Sequence, residues 1–103
     1  MTQFCITYLG GNEPQSPEQG QKQFADYQAW LAGLGDAAVS PMNPLKGTVT
    51  VSSSRVVSGG SSVGMSGYTI IEAESAEAAL EIAKACPFLD TGGSLEVAEL
   101  IQM

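Results

Sequence analysis

Residues 68–100, "YTIIEAESAEAALEIAKACPFLDTGGSLEVAEL", decide the fold. "YTIIEA" (Tyr68–Ala73) is rich in β-branched and aromatic residues and reads as a strand. Ser75 can cap a helix over "AEAALEIAKAC", and Glu77 in its first turn suits the positive end of the helix dipole. Pro87 is expected to stop that helix, Gly92-Gly93 to turn the chain, and "SLEVAELI" (Ser94–Ile101) to form the last strand.

The N-terminal half offers the same kind of unit. "QFCITYL" (Gln3–Leu9) reads as a strand closed by Gly10-Gly11. In "SPEQGQKQFADYQAWLAGLG", Ser16 can cap, Pro17 suits the first helical position and Gln19 completes a capping box. Phe24, Tyr27, Leu31 and Leu34 recur at helical spacing with Trp30 beside them, and Gly35 suits a left-handed stop. Between the halves, "AAVSPMNPLKG" reads as extended and Pro-punctuated. "TVTV" (Thr48–Val51) and "RVVS" (Arg55–Ser58) read as a hairpin that elaborates the second strand, and "GGSSVGMSG" (Gly59–Gly67) reads as a loop. The order strand, helix, strand, strand, helix, strand predicts one α+β domain over residues 1–103. It is a ferredoxin-like βαββαβ sandwich with an extra hairpin, both helices lying on one sheet face.

Two helices cover only one face, so in a monomer the other face should alternate to polar. Instead Cys5, Thr7 and Leu9 oppose Phe4, Ile6 and Tyr8, and both sides of the later strands also carry apolar residues. A second copy packed sheet to sheet is the simplest cover, so a homodimer is expected.

Composition narrows the function classes. Eleven acidic residues stand against four basic ones, a formal net charge of −7. Lys22, Lys46, Arg55 and Lys84 are too few for a phosphate backbone or an anionic membrane, so neither nucleic acid nor membrane is an expected partner. Cys5 and Cys86 make no disulfide framework and no paired metal spacing. "MTQFCITYLGG" lacks a basic region and a long apolar run, so a cytoplasmic location is expected.

The chain contains no histidine, which removes Ser/His and Cys/His nucleophilic arrangements. Cys86, at a helix C-terminus beside the negative dipole end, reads as a buried structural thiol. Glu72, Glu74, Glu77 and Glu81 read as solvated surface charge, so no metal is expected. Gly59-Gly60 and Gly92-Gly93 do not make a nucleotide-binding fingerprint, and no cofactor is expected. Asp36 is the weak candidate for a catalytic base, at the exit of the first helix. Tyr8, Trp30, Asp36, Ser66 and Tyr68 are the candidates for lining a ligand pocket, with Tyr8 and Tyr68 read as sharing the helix-covered face.

Asn43-Pro44-Leu45, Gly67-Tyr68, Cys86-Pro87 and Gly92-Gly93-Ser94, in that order over nearly the whole chain, resemble the YCII-related family. The resemblance implies a dimeric α/β barrel, two ferredoxin-like protomers with sheets packed face to face. Members of that family include proteins of no established activity, small-molecule dehalogenases and lactone isomerases, and companions of sigma factors. The resemblance implies a His/Asp pair in active members, and a Cys-Pro-His-Leu segment where this chain reads Cys86-Pro87-Phe88-Leu89. The Asp-Gly-Pro-Phe signature of one branch is also absent, the corresponding region reading "VSGGSSVG". The expected function is a small apolar ligand-binding or partner-binding dimer in which catalysis is lost or absent. The alternatives are a catabolic enzyme acting on a small acid or lactone with Asp36 as base, and a purely structural partner module.

Overall fold

Alternation along the first strand sets the layering. In β1 (Thr2–Leu9) Phe4, Ile6 and Tyr8 are buried, while Cys5, Thr7 and Leu9 are only half-covered. The computed structural model describes residues 1–60 and 63–101. α1 (Pro17–Leu34) starts where Ser16, in extended backbone, accepts from the N–H of Gln19 at 3.1 Å with Pro17 following. The Gln19 side chain closes back onto the Gln15 N–H. Gly35 ends the helix at φ +55°, a conformation that glycine adopts at no steric cost. β2 (Ala38–Pro44), β3 (Val49–Val51), β4 (Val57–Gly59) and β5 (Met65–Ala73) follow, then α2 (Ala76–Lys84) and β6 (Ser94–Glu99).

The main sheet has the order β2-β5-β1-β6, and every pairing in it is antiparallel. This is the ferredoxin-like arrangement expected, with each helix joining strands that are not neighbours. Register aligns Ile6 with Thr69 and Val97, and Phe4 with Ile71, on the helix-covered face. The core joins Phe4, Ile6, Ile71 and Ala73 of the sheet to Ala79 and Ala83 of α2 and to Cys86. Two alanines four residues apart let α2 lie close to the sheet. Each large apolar side chain so buried contributes roughly 1.5–3 kcal/mol. Trp30, half-buried, ties the helices together: its indole N–H donates to the Ile82 carbonyl at 3.2 Å.

Five details differ from expectation. The second strand of the sheet is the Pro-punctuated Ala38–Pro44, not the hairpin, because an edge strand needs only one ladder and so tolerates proline. The β3–β4 hairpin is a separate two-stranded sheet, with Val49, Val51, Val56 and Val57 exposed. β5 begins inside the segment read as a loop, at Met65; Ser61 and Ser62 of that loop lie outside the described residues. α2 ends at Lys84, and Cys86 is extended as a pre-proline residue tends to be. Pro87 therefore opens a new 3-10 turn, Pro87–Thr91, which Gly92 closes at φ +85°. The last strand stops at Glu99, although the Leu100 N–H still donates to Gln3 at 2.9 Å, and Ile101 is exposed beyond it.

On the uncovered face Cys5, Thr7, Leu9, Tyr68 and Ile70 are half-buried. Among the described residues no helix is long and apolar enough to cross a membrane.

Candidate functional site

The glycine turn after β1 and the 3-10 turn after α2 meet at one end of the sheet, held by the Asn12 N–H donating to the Thr91 carbonyl at 2.8 Å. Between these turns, the first half of α1 and the β2–β5 edge lies a cavity of about 510 Å³. Tyr8, Phe24, Tyr27, Met42, Pro44 and Phe88 give it a largely apolar wall. Glu13 is the one carboxylate among its described lining residues, and no lysine or arginine lines it.

Phe88 occupies a confined position. Its ring meets Tyr8 edge-on, with centroids 5.2 Å apart and planes at 66°, a geometry that the aromatic quadrupoles favour. Gly11 and Gly93 crowd the same ring: a Cβ at Gly11 would come within 2.9 Å of Phe88 Cζ, and one at Gly93 within 2.8 Å. Thr91 fixes the turn that carries Phe88, its hydroxyl donating to the Phe88 carbonyl at 2.7 Å.

A chain of hydroxyls runs from the wall into the sheet. The Tyr27 hydroxyl donates to that of Tyr8 at 2.9 Å, Tyr8 lies 2.6 Å from Thr69 Oγ1, and Thr69 donates to the Pro41 carbonyl at 2.6 Å. Tyr27 also lies 3.4 Å from the Pro41 carbonyl and 3.3 Å from Thr69. Thr69 is the buried polar residue of the core and is fully satisfied by these contacts. Burial pushes the Tyr8 phenol above the ordinary tyrosine range, so it stays protonated at neutral pH. Burial likewise pushes the Cys86 thiol up, an effect that the Phe88 backbone N–H partly offsets.

Of the residues proposed from sequence, Tyr8, Ser66 and Tyr68 border this cavity, and the Ser66 hydroxyl donates to the Tyr8 carbonyl at 3.3 Å. Tyr8 and Tyr68 do not share a sheet face. Register pairs Tyr8 with Gly67 and Tyr68 with Thr7, so the Tyr68 ring stands on the uncovered side. Trp30 and Asp36 are not among the lining residues. Trp30 packs one helical turn away, its ring 5.9 Å from that of Tyr27, and Asp36 is exposed in the turn after α1. Phe24, Tyr27, Thr69 and Phe88 were not proposed as site residues. The three-residue spacing of Phe24 and Tyr27 was the signal for that pair, whereas the inward position of Thr69 required the β1–β5 register and Phe88 stands where the resemblance implies a histidine. Among the described residues no three or more thiol or carboxylate side chains group together as a metal site.

No known family's sequence model matches the chain, and no curated protein matches it by sequence. Among solved structures it is similar to 5-chloro-2-hydroxyhydroquinone dehydrochlorinase from Burkholderia phenoliruptrix AC1100, solved in complex with 2,5-dihydroxybenzoquinone. The likeness has a TM-score of 0.53 at 21% identity and covers 98% of this chain and 95% of that one. A likeness at that identity establishes the shared fold, the ferredoxin-like βαββαβ sandwich.

Proposed function

We propose that this chain is a YCII-related cytoplasmic protein that works as a homodimer and binds one small, neutral, largely apolar molecule in the cavity beside α1. The observation that carries this reading is the wall itself: aromatic and proline surfaces around about 510 Å³, with a tyrosine hydroxyl chain on one side and no cation. Such a space suits a single-ring compound and gives nothing to hold a phosphate or a polycarboxylate. The half-buried face carrying Leu9, Tyr68 and Ile70 supports a second sheet packed against it.

Likeness to a dehydrochlorinase favours a second reading, an enzyme acting on a small aromatic. In that reading Asp36 is the base that the sequence suggests, yet it is not among the residues lining the cavity. Tyr8, protonated at neutral pH, is suited to donate or relay hydrogen bonds rather than to remove a proton. The first reading therefore stands ahead, with catalysis lost or absent.

The test is a calorimetric panel of neutral phenols, phosphate esters and polycarboxylates, with chloride release from 5-chloro-2-hydroxyhydroquinone measured in parallel. Binding confined to neutral rings, without chloride release above background, is expected. Enzyme-dependent chloride release would transfer the chain to the second reading, and absence of binding to any ring would sink the first.

A further inference from the structure

Hydrogen positions along the hydroxyl chain follow from its anchored end. The Pro41 carbonyl can only accept, so at 2.6 Å the Thr69 hydrogen must lie between the two oxygens. Thr69 then has no hydrogen left for Tyr8, and their 2.6 Å contact requires that of Tyr8. Tyr8, its own hydrogen committed, accepts from Tyr27 at 2.9 Å. The other acceptors near the Tyr27 hydroxyl, Pro41 at 3.4 Å and Thr69 at 3.3 Å, are farther off and lie on the same anchored side. Each hydroxyl thus points its hydrogen inward. Tyr27, half-buried and part of the cavity wall, is left with an oxygen that can only accept.

We infer that the cavity selects ligands that donate a hydrogen bond, neutral phenols or alcohols of one ring, over ethers, carbonyls and carboxylates of the same size, and that the Tyr27 oxygen is the acceptor that reads them. This rests on the ligand-binding reading above and adds the direction of its polar contact. An acceptor-only ligand meets a second acceptor there and leaves two oxygens facing each other without a hydrogen. The chain ends on a backbone carbonyl, which takes up no proton at neutral pH. The relay therefore orients a donor and does not deprotonate it.

Para-cresol and anisole are isomers that differ in owning an O–H, and titration calorimetry of each into the wild-type protein reads the selection directly. Para-cresol should bind roughly 3- to 10-fold more tightly, the span of one ordinary hydrogen bond. In Tyr27→Phe that ratio should fall to about one while anisole binding holds within about twofold. Tyr8→Phe, which keeps the ring but removes the nearest acceptor of the Tyr27 hydrogen, leaves that hydrogen only the longer contacts to Pro41 and Thr69 and lets it turn to the ligand. It should narrow the ratio by strengthening anisole, and it serves where Tyr27→Phe does not fold. Equal binding of the isomers to wild type, or a ratio that survives Tyr27→Phe, overturns the inference and leaves the ligand-binding reading standing. Binding of neither isomer overturns both.

Discussion

At Phe88, the position where the YCII resemblance implies a histidine, the ring is seated between Gly11 and Gly93. Gly11 is doubly constrained, by that ring and by its φ of +93°, whereas Gly93 has ordinary backbone and is constrained by sterics alone. Gly93→Ala should therefore cost about 1–3 kcal/mol of stability in urea unfolding. Combining it with Phe88→Leu should recover part of the loss, and strict additivity would show that the ring is not the obstacle. Tyr8 gives a second prediction. Its phenol is raised in the folded state by burial, so from about pH 10 upward the unfolded chain loses a proton that the native one keeps. That contribution to stability is complete below about pH 10 and declines above it, by up to about 1.4 kcal/mol per pH unit. Unfolding free energies at pH 9, 10 and 11 should fall more steeply for wild type than for Tyr8→Phe; parallel slopes would contradict the burial of the phenol.

Among the elements, α2 depends most on its ends, since nine residues make a helix that is marginal alone. Ser75 accepts from the Ala78 N–H at 3.1 Å, and Ser75→Ala should remove about 1 kcal/mol. In a domain of this size that lowers Tm by about 4–8 °C in a thermal melt at fixed protein concentration. An unchanged Tm would mean that packing of Ala79 and Ala83 alone holds the helix. Caps and strand alternation made both helices and the strands β1 and β5 legible in the sequence. β2 was not legible as a sheet strand: Pro41 and Pro44 read as punctuation, and only the edge position makes them compatible with pairing. The valine-rich hairpin drew that role because its alternation is cleaner, although its valines face solvent in the protomer.

On the scale of the whole molecule, both sheet faces carry apolar side chains, and the helices cover one. Light scattering at micromolar concentration should give about twice the 10.7 kDa chain mass, and Ile70→Lys should halve it by placing an unpaired ammonium between the sheets. A wild-type monomer would contradict the dimer. The candidate site was legible only in part. Tyr8 follows from strand alternation, but Ser66 falls in a segment read as a loop, the face of Tyr68 required the β1–β5 register, and the meeting of Phe24 and Tyr27 with Phe88 depends on two turns docking across the chain. Trp30 was a pocket candidate by its place beside the apolar stripe, whereas its N–H joins α1 to α2. If the proposed function holds, this cavity, and not the hairpin, receives a small neutral ring. Amide chemical shifts recorded by NMR while para-cresol is titrated into the labelled protein test it most directly. Saturable shifts are expected at Gly11, Tyr27, Ser66 and Phe88, with residues 48–60 of the hairpin unmoved; an unperturbed spectrum, or shifts centred on the hairpin, would rule the cavity out as the binding site.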